Sequence, residues 1–192
     1  ADPPPLSLLA VQKAAGLPMD SLRANIKLAI SGGQNEPRDA IAGCAWAMLT
    51  HPDQRALIDA GQATWQQAFE EYARWIAPIG MSPREVARRD TVDGVTFEVG
   101  DRVFLMFGIG NRDPRAFDDP DRFDITRDTR LSLAFGAGPH FCAGAAAARA
   151  LISAVALPRL FERFPDLQLD GPVEFTGWAV RGPGAVPVRL QP

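Results

Sequence analysis

Cys142 lies in the run Phe135-Gly-Ala-Gly-Pro-His-Phe-Cys-Ala-Gly144, whose residue types suit the presentation of a thiolate to something flat and bulky. Gly136 and Gly138 permit tight bends and a close backbone approach. Cys142 comes directly before an Ala-rich stretch that reads as a helix. A helix N-terminus favours the thiolate through its dipole and its free N–H groups. Gly144 and the alanines at 145–148 keep that helix start thin enough to lie close under a cofactor, and Phe135 can return to stack near the sulfur. The chain has two cysteines, Cys44 and Cys142, and two histidines, His51 and His140. So few ligands exclude a zinc ribbon, a four-cysteine iron–sulfur cluster and a disulfide scaffold. Any cofactor held by a soft ligand must depend on a single cysteine. Cys44 reads as a small core residue and His51 as a helix-start residue.

The scaffold around this loop follows from periodicity and from its breakers. The 192 residues are 46% hydrophobic and 22% charged, a globular composition, and the net charge of −3 gives no sign of a nucleic-acid surface. No run of about 20 apolar residues is present, so no membrane span is expected. The opening Ala-Asp-Pro-Pro-Pro lacks an initiator Met and reads as an interior cut, with any signal or anchor expected upstream. Periodicity predicts a helix over 8–15 and a long central helix over 21–50, about 45 Å at 1.5 Å per residue. Gly32, Gly33 and Pro37 are costly residues at its middle, which marks the centre as a candidate site. A helix from Pro52 to Gly61 and another over 64–77 follow, the latter carrying Glu71 and Arg74. Strands are expected over 86–91, 95–99 and 103–106, in a small sheet spanning 84–106. A loop-rich meander covers 107–142, where so long an irregular run suggests a functional wrap. A helix over 142–164, kinked at Pro158, and short strands over 165–192 complete what reads as one partial domain over 1–192.

The cysteine run resembles the haem loop of the cytochromes P450, Phe-Gly-x-Gly-x-His/Arg-x-Cys-x-Gly. All six fixed positions are present: Phe135, Gly136, Gly138, His140, Cys142 and Gly144. The resemblance extends to Glu71-Tyr-Ala-Arg74, matching the family's Glu-x-x-Arg, whose i and i+3 residues share a helix face. Asn111-Arg-Asp-Pro114 and Asp119-Pro-Asp-Arg-Phe123 resemble the meander that precedes the cysteine, in the family's order. The implied fold is mainly α with small β-sheets, the C-terminal portion of a chain about twice this length. Its missing N-terminal half, or an oligomer partner, would then cover an apolar face that this portion leaves open. The resemblance implies that Cys142 is the axial thiolate of haem b and that His140 hydrogen-bonds a haem propionate. Arg122 would join Glu71 and Arg74 in a buried structural charge network. Arg84 is the candidate for a second propionate contact, one residue off the usual spacing, with Glu85 in the expected place. Pro78–Ser82, with Ala179 and Val180, would face substrate in small, mainly apolar pockets.

The central helix departs from the family's Ala/Gly-Gly-x-Asp/Glu-Thr. Counting back from His51-Pro-Asp-Gln54 aligns that pattern with Gly32-Gly33-Gln34-Asn35-Glu36, which places Gly33 against the haem. Asn35 then replaces the acid and Glu36 the alcohol of the pair that organises proton delivery during oxygen activation. Asn35 cannot titrate. A buried Glu36 could deliver the proton itself, or could merely bond backbone freed by Pro37. The implied function is a haem-thiolate monooxygenase acting on a small apolar substrate. It would be cytoplasmic, of the bacterial soluble type. Electrons would come from a ferredoxin- or flavodoxin-type partner docking beside Arg130 and Arg149. The altered pair leaves a second expectation, a haem protein that uses peroxide or is inactive. A third is a haem-free structural fragment.

Overall fold

A computed structural model describes residues 3–190 and divides the chain into two units at Arg38–Asp39, where the sequence offered no boundary. Residues 1–2 and 191–192, the edges of the expected interior start and of the C-terminal strand segment, lie outside the described residues. In the first unit, α1 (Leu8–Ala14) is capped by the Ser7 hydroxyl, which accepts from the Ala10 N–H at 3.2 Å. Asn25 Nδ2 donates to Gln12 Oε1 at 2.9 Å and links α1 to α2 (Met19–Gly32).

The single helix expected over 21–50 is corrected to two, α2 and α3 (Asn35–Thr50), separated by Gly33 and Gln34. A Cβ on Gly33 would collide with the Ala29 carbonyl oxygen, so the close turn there requires glycine. Pro37 has no N–H, and as the third residue of α3 it sits where none is needed. The first bond of the new helix runs instead from the Arg38 N–H to the Gln34 carbonyl at 3.3 Å. The break places the residues that a helix interior tolerates worst at helix ends.

The second unit is built around α5 (Trp65–Ile76). Its start is a capping box in which Thr64 Oγ1 accepts from the Gln67 N–H while Gln67 Oε1 accepts from the Thr64 N–H. Its apolar face, with Phe69, Tyr72, Ala73 and Ile76, shares one buried core with Cys44, Ala47 and Met48 of α3 and with Ile152, Leu157 and Phe161. Burial pushes the Cys44 thiol well above its ordinary range, so Cys44 stays protonated in the core. Gly43 lets α3 approach α5 closely: a Cβ there would overlap the Tyr72 ring and hydroxyl. Gly43→Ala is expected to lower stability by about 1–3 kcal/mol through overpacking. Urea denaturation measures this, and an unchanged midpoint would show that Tyr72 yields without cost. Against the same core, His51, the residue before α4 (Pro52–Asp59), lies edge-on to Trp75 at 5.6 Å and tilted against Phe123 at 5.0 Å.

The strand expected over 86–91 is also corrected. Residues 86–89 are irregular, and the pairing segment lies earlier, with β1 (Ser82–Glu85) antiparallel to β4 (Arg102–Leu105). Pro83 is tolerated because a two-stranded ladder leaves it an open edge. The hairpin of β2 (Asp90–Val92) and β3 (Val95–Phe97) turns on Asp93 and Gly94, both at positive φ. After the single turn α6 (Phe107–Gly110), residues 111–137 remain irregular.

The helix expected from Cys142 starts three residues later, at α7 (Ala145–Arg149) with Gly144 as its cap. It continues through a π-helical segment, Ala150–Ala156, into α8 (Leu157–Arg163). Pro158, the expected kink position, is the second residue of α8 and follows that widened segment, whose looser register makes room for the ring and for the missing donor. The tail forms two short ladders, β5 (Gln168–Leu169) with β8 (Val188–Arg189) and β6 (Phe175–Thr176) with β7 (Gly182–Pro183). No described helix is long and apolar enough to cross a membrane.

Candidate active site

The cysteine loop is a closed hairpin of backbone. The Cys142 N–H donates to the Phe135 carbonyl at 2.9 Å, and the Cys142 carbonyl accepts from the Ala145 N–H at 3.2 Å. Gly136 and Gly138 both stand at positive φ, +69° and +63°, so the tight course of the loop depends on them. His140 ends a single 3-10 turn, Gly138–His140, and is exposed. The Cys142 residue is exposed and unbridged, whereas Cys44 is buried. Gly144 faces the sulfur: a Cβ there would lie 3.8 Å from Cys142 Sγ. On the inner side, the Phe135 ring packs edge-on against Phe69 of α5 at 6.1 Å and tilted against Phe141 at 6.4 Å.

A buried charge network anchors this loop. Glu71 and Arg74 are fully buried and form a two-point pair, with Nε to Oε2 at 2.7 Å and Nη2 to Oε1 at 2.8 Å. Arg74 Nη1 also donates to the carbonyls of Asn111 at 2.8 Å and Pro120 at 2.9 Å. The Asn111 side chain then accepts the Leu133 N–H at 2.6 Å, two residues before Phe135. The helix pair is thereby joined to the cysteine loop through Asn111. The third side chain of the network is Arg127, whose Nε donates to Glu71 Oε1 at 3.2 Å. Arg122 contributes its backbone carbonyl, which accepts from Arg74 and Arg127, while its side chain is exposed. This corrects the expected place of Arg122: the meander turns at Asp119, at positive φ, and presents main-chain oxygens rather than a guanidinium. Asn111 in this linking role, and Arg127, went unread in the sequence, because their partners lie many residues away and share no periodicity with them.

Arg84 lies on the half-buried face of β1, where its Nη1 donates to Ser82 Oγ and to the Pro83 carbonyl, both at 2.7 Å. Glu85 points to the opposite, exposed face, as strand alternation requires. The two expected substrate-facing segments lie side by side. Ile79 pairs with Val180, the Gly80 N–H donates to the Ala179 carbonyl, and the Arg181 N–H donates to the Pro78 carbonyl. Val180 remains exposed, as do Phe104, Leu105, Met106 and Ile109. Gly33, Asn35 and Glu36 stand together at the junction of α2 and α3. Asn35 is exposed, while Glu36 is half-buried with Oε2 out of water and without a hydrogen-bond partner. Arg130 and Arg149 are both ion-paired, to Asp128 and to Glu70.

Residues 65–172 match the model of the family described as Cytochrome P450, which covers more than half of the chain. The chain belongs to the cytochrome P450 family. Among curated P450 relatives, 6-deoxyerythronolide B hydroxylase of Saccharopolyspora erythraea is 42% identical over 76% of this chain and 37% of its own. Vitamin D(3) 25-hydroxylase of Pseudonocardia autotrophica is 38% identical over 97% of this chain and 48% of its own. The solved structure of CYP154A1 from Streptomyces coelicolor superposes with a TM-score of 0.87 at 34% identity, over 96% of this chain and 48% of that one. The chain therefore spans less than half the length of these P450 relatives.

The haem implied by the P450 family fits the residues present. The donor set offers one exposed thiol of the soft kind that such an iron takes. A Cβ on Gly138 would meet nothing within 4 Å, so space lies open above the loop. Among the described residues no group of His, Cys, Asp and Glu is arranged to hold a metal ion by itself, so Cys142 would be the protein's contribution to the iron.

Proposed function

We propose that this chain is the cysteine-bearing portion of a haem-thiolate monooxygenase. It would hold haem b and hydroxylate a small apolar organic substrate with dioxygen and electrons from a ferredoxin- or flavodoxin-type donor. The observation that carries this reading is the Cys142 loop. It exposes a thiol, is pinned by its own N–H to Phe135, and is tied through Leu133 and Asn111 to the buried Glu71–Arg74 pair. When bound, a thiolate-ligated haem supplies activation of dioxygen and transfer of one oxygen atom to substrate.

The chain's own residues do the rest. Cys142 would give the sulfur that holds the iron, from a loop closed by its own backbone hydrogen bonds. His140 and Arg84 are the propionate partners, each a cation or hydrogen-bond donor on an exposed or half-buried face. The paired strips Pro78–Gly80 and Ala179–Arg181 supply substrate-facing wall. Exposed apolar residues here, Phe104, Leu105, Met106 and Ile109, are those that the remaining half of the fold, or a second copy, would meet. The donor docks on the cysteine side, where an open cavity of about 640 Å³ is lined by Gln66, Gln67, Arg130, Phe141 and others. Two relatives carry hydroxylase in their names, which favours hydroxylation over other oxidations. Turnover under labelled dioxygen tests the proposal: one label atom per product supports it, and product oxygen drawn from water overturns it.

A second reading rests on Asn35 and Glu36. An amide and a carboxylic acid take the place of the usual acid and alcohol, and Glu36 Oε2 has no partner. Glu36 is then the group that delivers a proton, its half-buried carboxyl holding one oxygen out of water and without a partner. Glu36→Gln is expected to lower product formed per NADPH by about tenfold or more. Unchanged coupling sinks the proton-donor role, and peroxide-driven turnover that survives in both forms favours a peroxide-using enzyme.

A further inference from the structure

Arg149 ends α7, seven residues after Cys142, and it meets three groups at once. Its guanidinium pairs with Glu70 of α5, through Nε to Oε1 and Nη2 to Oε2, the latter at 3.3 Å. Its Cζ lies 4.5 Å from the centre of the Phe135 ring, the ring that packs beneath the cysteine loop. The pair is mostly shielded, with 32% of the Arg149 side chain exposed and 17% of Glu70. Arg149 holds its proton more tightly than an ordinary arginine. The Glu70 hydrogen bond is the main cause, opposed by burial, and attraction to Glu70 and to Cys142 adds to it. Phe135 in turn accepts the Cys142 N–H through its carbonyl at 2.9 Å, so the guanidinium stands against the residue that pins the sulfur-bearing one.

We infer that Arg149 and Glu70 form a positioning pair that stacks Phe135 under the cysteine loop and balances the charge felt by the Cys142 sulfur. The inference rests on the haem-thiolate reading above. A net positive charge beside a thiolate draws its electron density away from the iron and favours the reduced, more negative state. A net negative charge does the reverse. Because the two partners are of opposite sign and in contact, their joint field at the loop is smaller than that of either alone. Neither residue touches the cofactor, so both act through the loop and through space. The same cation–π contact sets the height of Phe135, since a guanidinium over an aromatic face holds both planes.

The test is the one-electron potential of the iron in the haem-loaded protein, with the reduced carbon-monoxide difference spectrum recorded on each sample. Glu70→Gln leaves Arg149 charged and unbalanced, so the potential is expected to move up. Arg149→Gln leaves the Glu70 carboxylate unbalanced, and the potential is expected to move down. Arg149→Lys keeps the charge and stays near the parent potential, while the double variant, with both charges gone, returns towards it. Shifts of one sign in both single variants, or no shift, overturn the inference. So does loss of the red-shifted thiolate band in Glu70→Gln, which would make the pair a purely structural tether. A parent protein that binds haem without that band fails the haem-thiolate reading itself, a result separate from any of these.

Discussion

Cys142→Ser is expected to abolish the red-shifted carbon-monoxide band of the reduced, haem-loaded protein and to take product formation to background. The hydroxyl is a harder, far weaker donor that stays protonated near neutrality, so the soft bond that Cys142 would make to the iron is lost. Folding should barely change, within about 0.5 kcal/mol, because the residue is exposed and the loop is closed by its backbone rather than its side chain. Cys44→Ser gives the opposite pattern. The band survives, and stability falls, because the new hydroxyl is buried in an apolar core. A thiolate band that persists in Cys142→Ser would remove Cys142 from the iron and with it the proposed chemistry.

The second large effect is on stability. Glu71→Ala is expected to cost about 3–5 kcal/mol, the cost of leaving one partner of a fully buried ion pair uncompensated. Arg74 would keep its carbonyl partners at Asn111 and Pro120 but lose its counter-charge, and Arg127 would lose its ion-pair partner. The Asp124 N–H, which donates to Glu71 Oε1 at 3.0 Å, would also be released. Equilibrium unfolding in guanidinium measures the loss. A change below about 1 kcal/mol would show that the pair is replaceable by its carbonyl ligands alone. Because Asn111 carries the network to Leu133, the variant should also lose the thiolate band at lower denaturant than it loses its helical signal.

The parts of the site that were legible in the sequence are local in the chain. The six fixed positions from Phe135 to Gly144 lie within ten residues, and their meaning is steric: two glycines at positive φ and one thiol. Glu71 and Arg74 are three residues apart on one helix, so their pairing follows from helical geometry. What the sequence hid depends on distant partners. Arg127 reaches Glu71 from 56 residues away in the chain, and Arg149 reaches Glu70 from 79 away. Arg122, inside a recognisable motif, attracted the role that Arg127 performs. The central helix shows a different limit. Gly33 and Pro37 were visible as breakers, but the apolar spacing continues on both sides, and periodicity cannot see a two-residue gap. The same holds at the far end of the cysteine helix, where a π-helical segment precedes Pro158 without altering the apolar pattern.

The central claim is that Cys142 presents a thiolate to haem iron in this protein. The most direct measurement is the difference spectrum between the reduced haem-loaded protein with and without carbon monoxide. The expected result is the strongly red-shifted Soret band of a thiolate-ligated, carbon-monoxide-bound haem, in the parent and in Cys44→Ser alike. A band at the position of a nitrogen- or oxygen-ligated haem, or no Soret absorbance at all after haem is supplied, would contradict it.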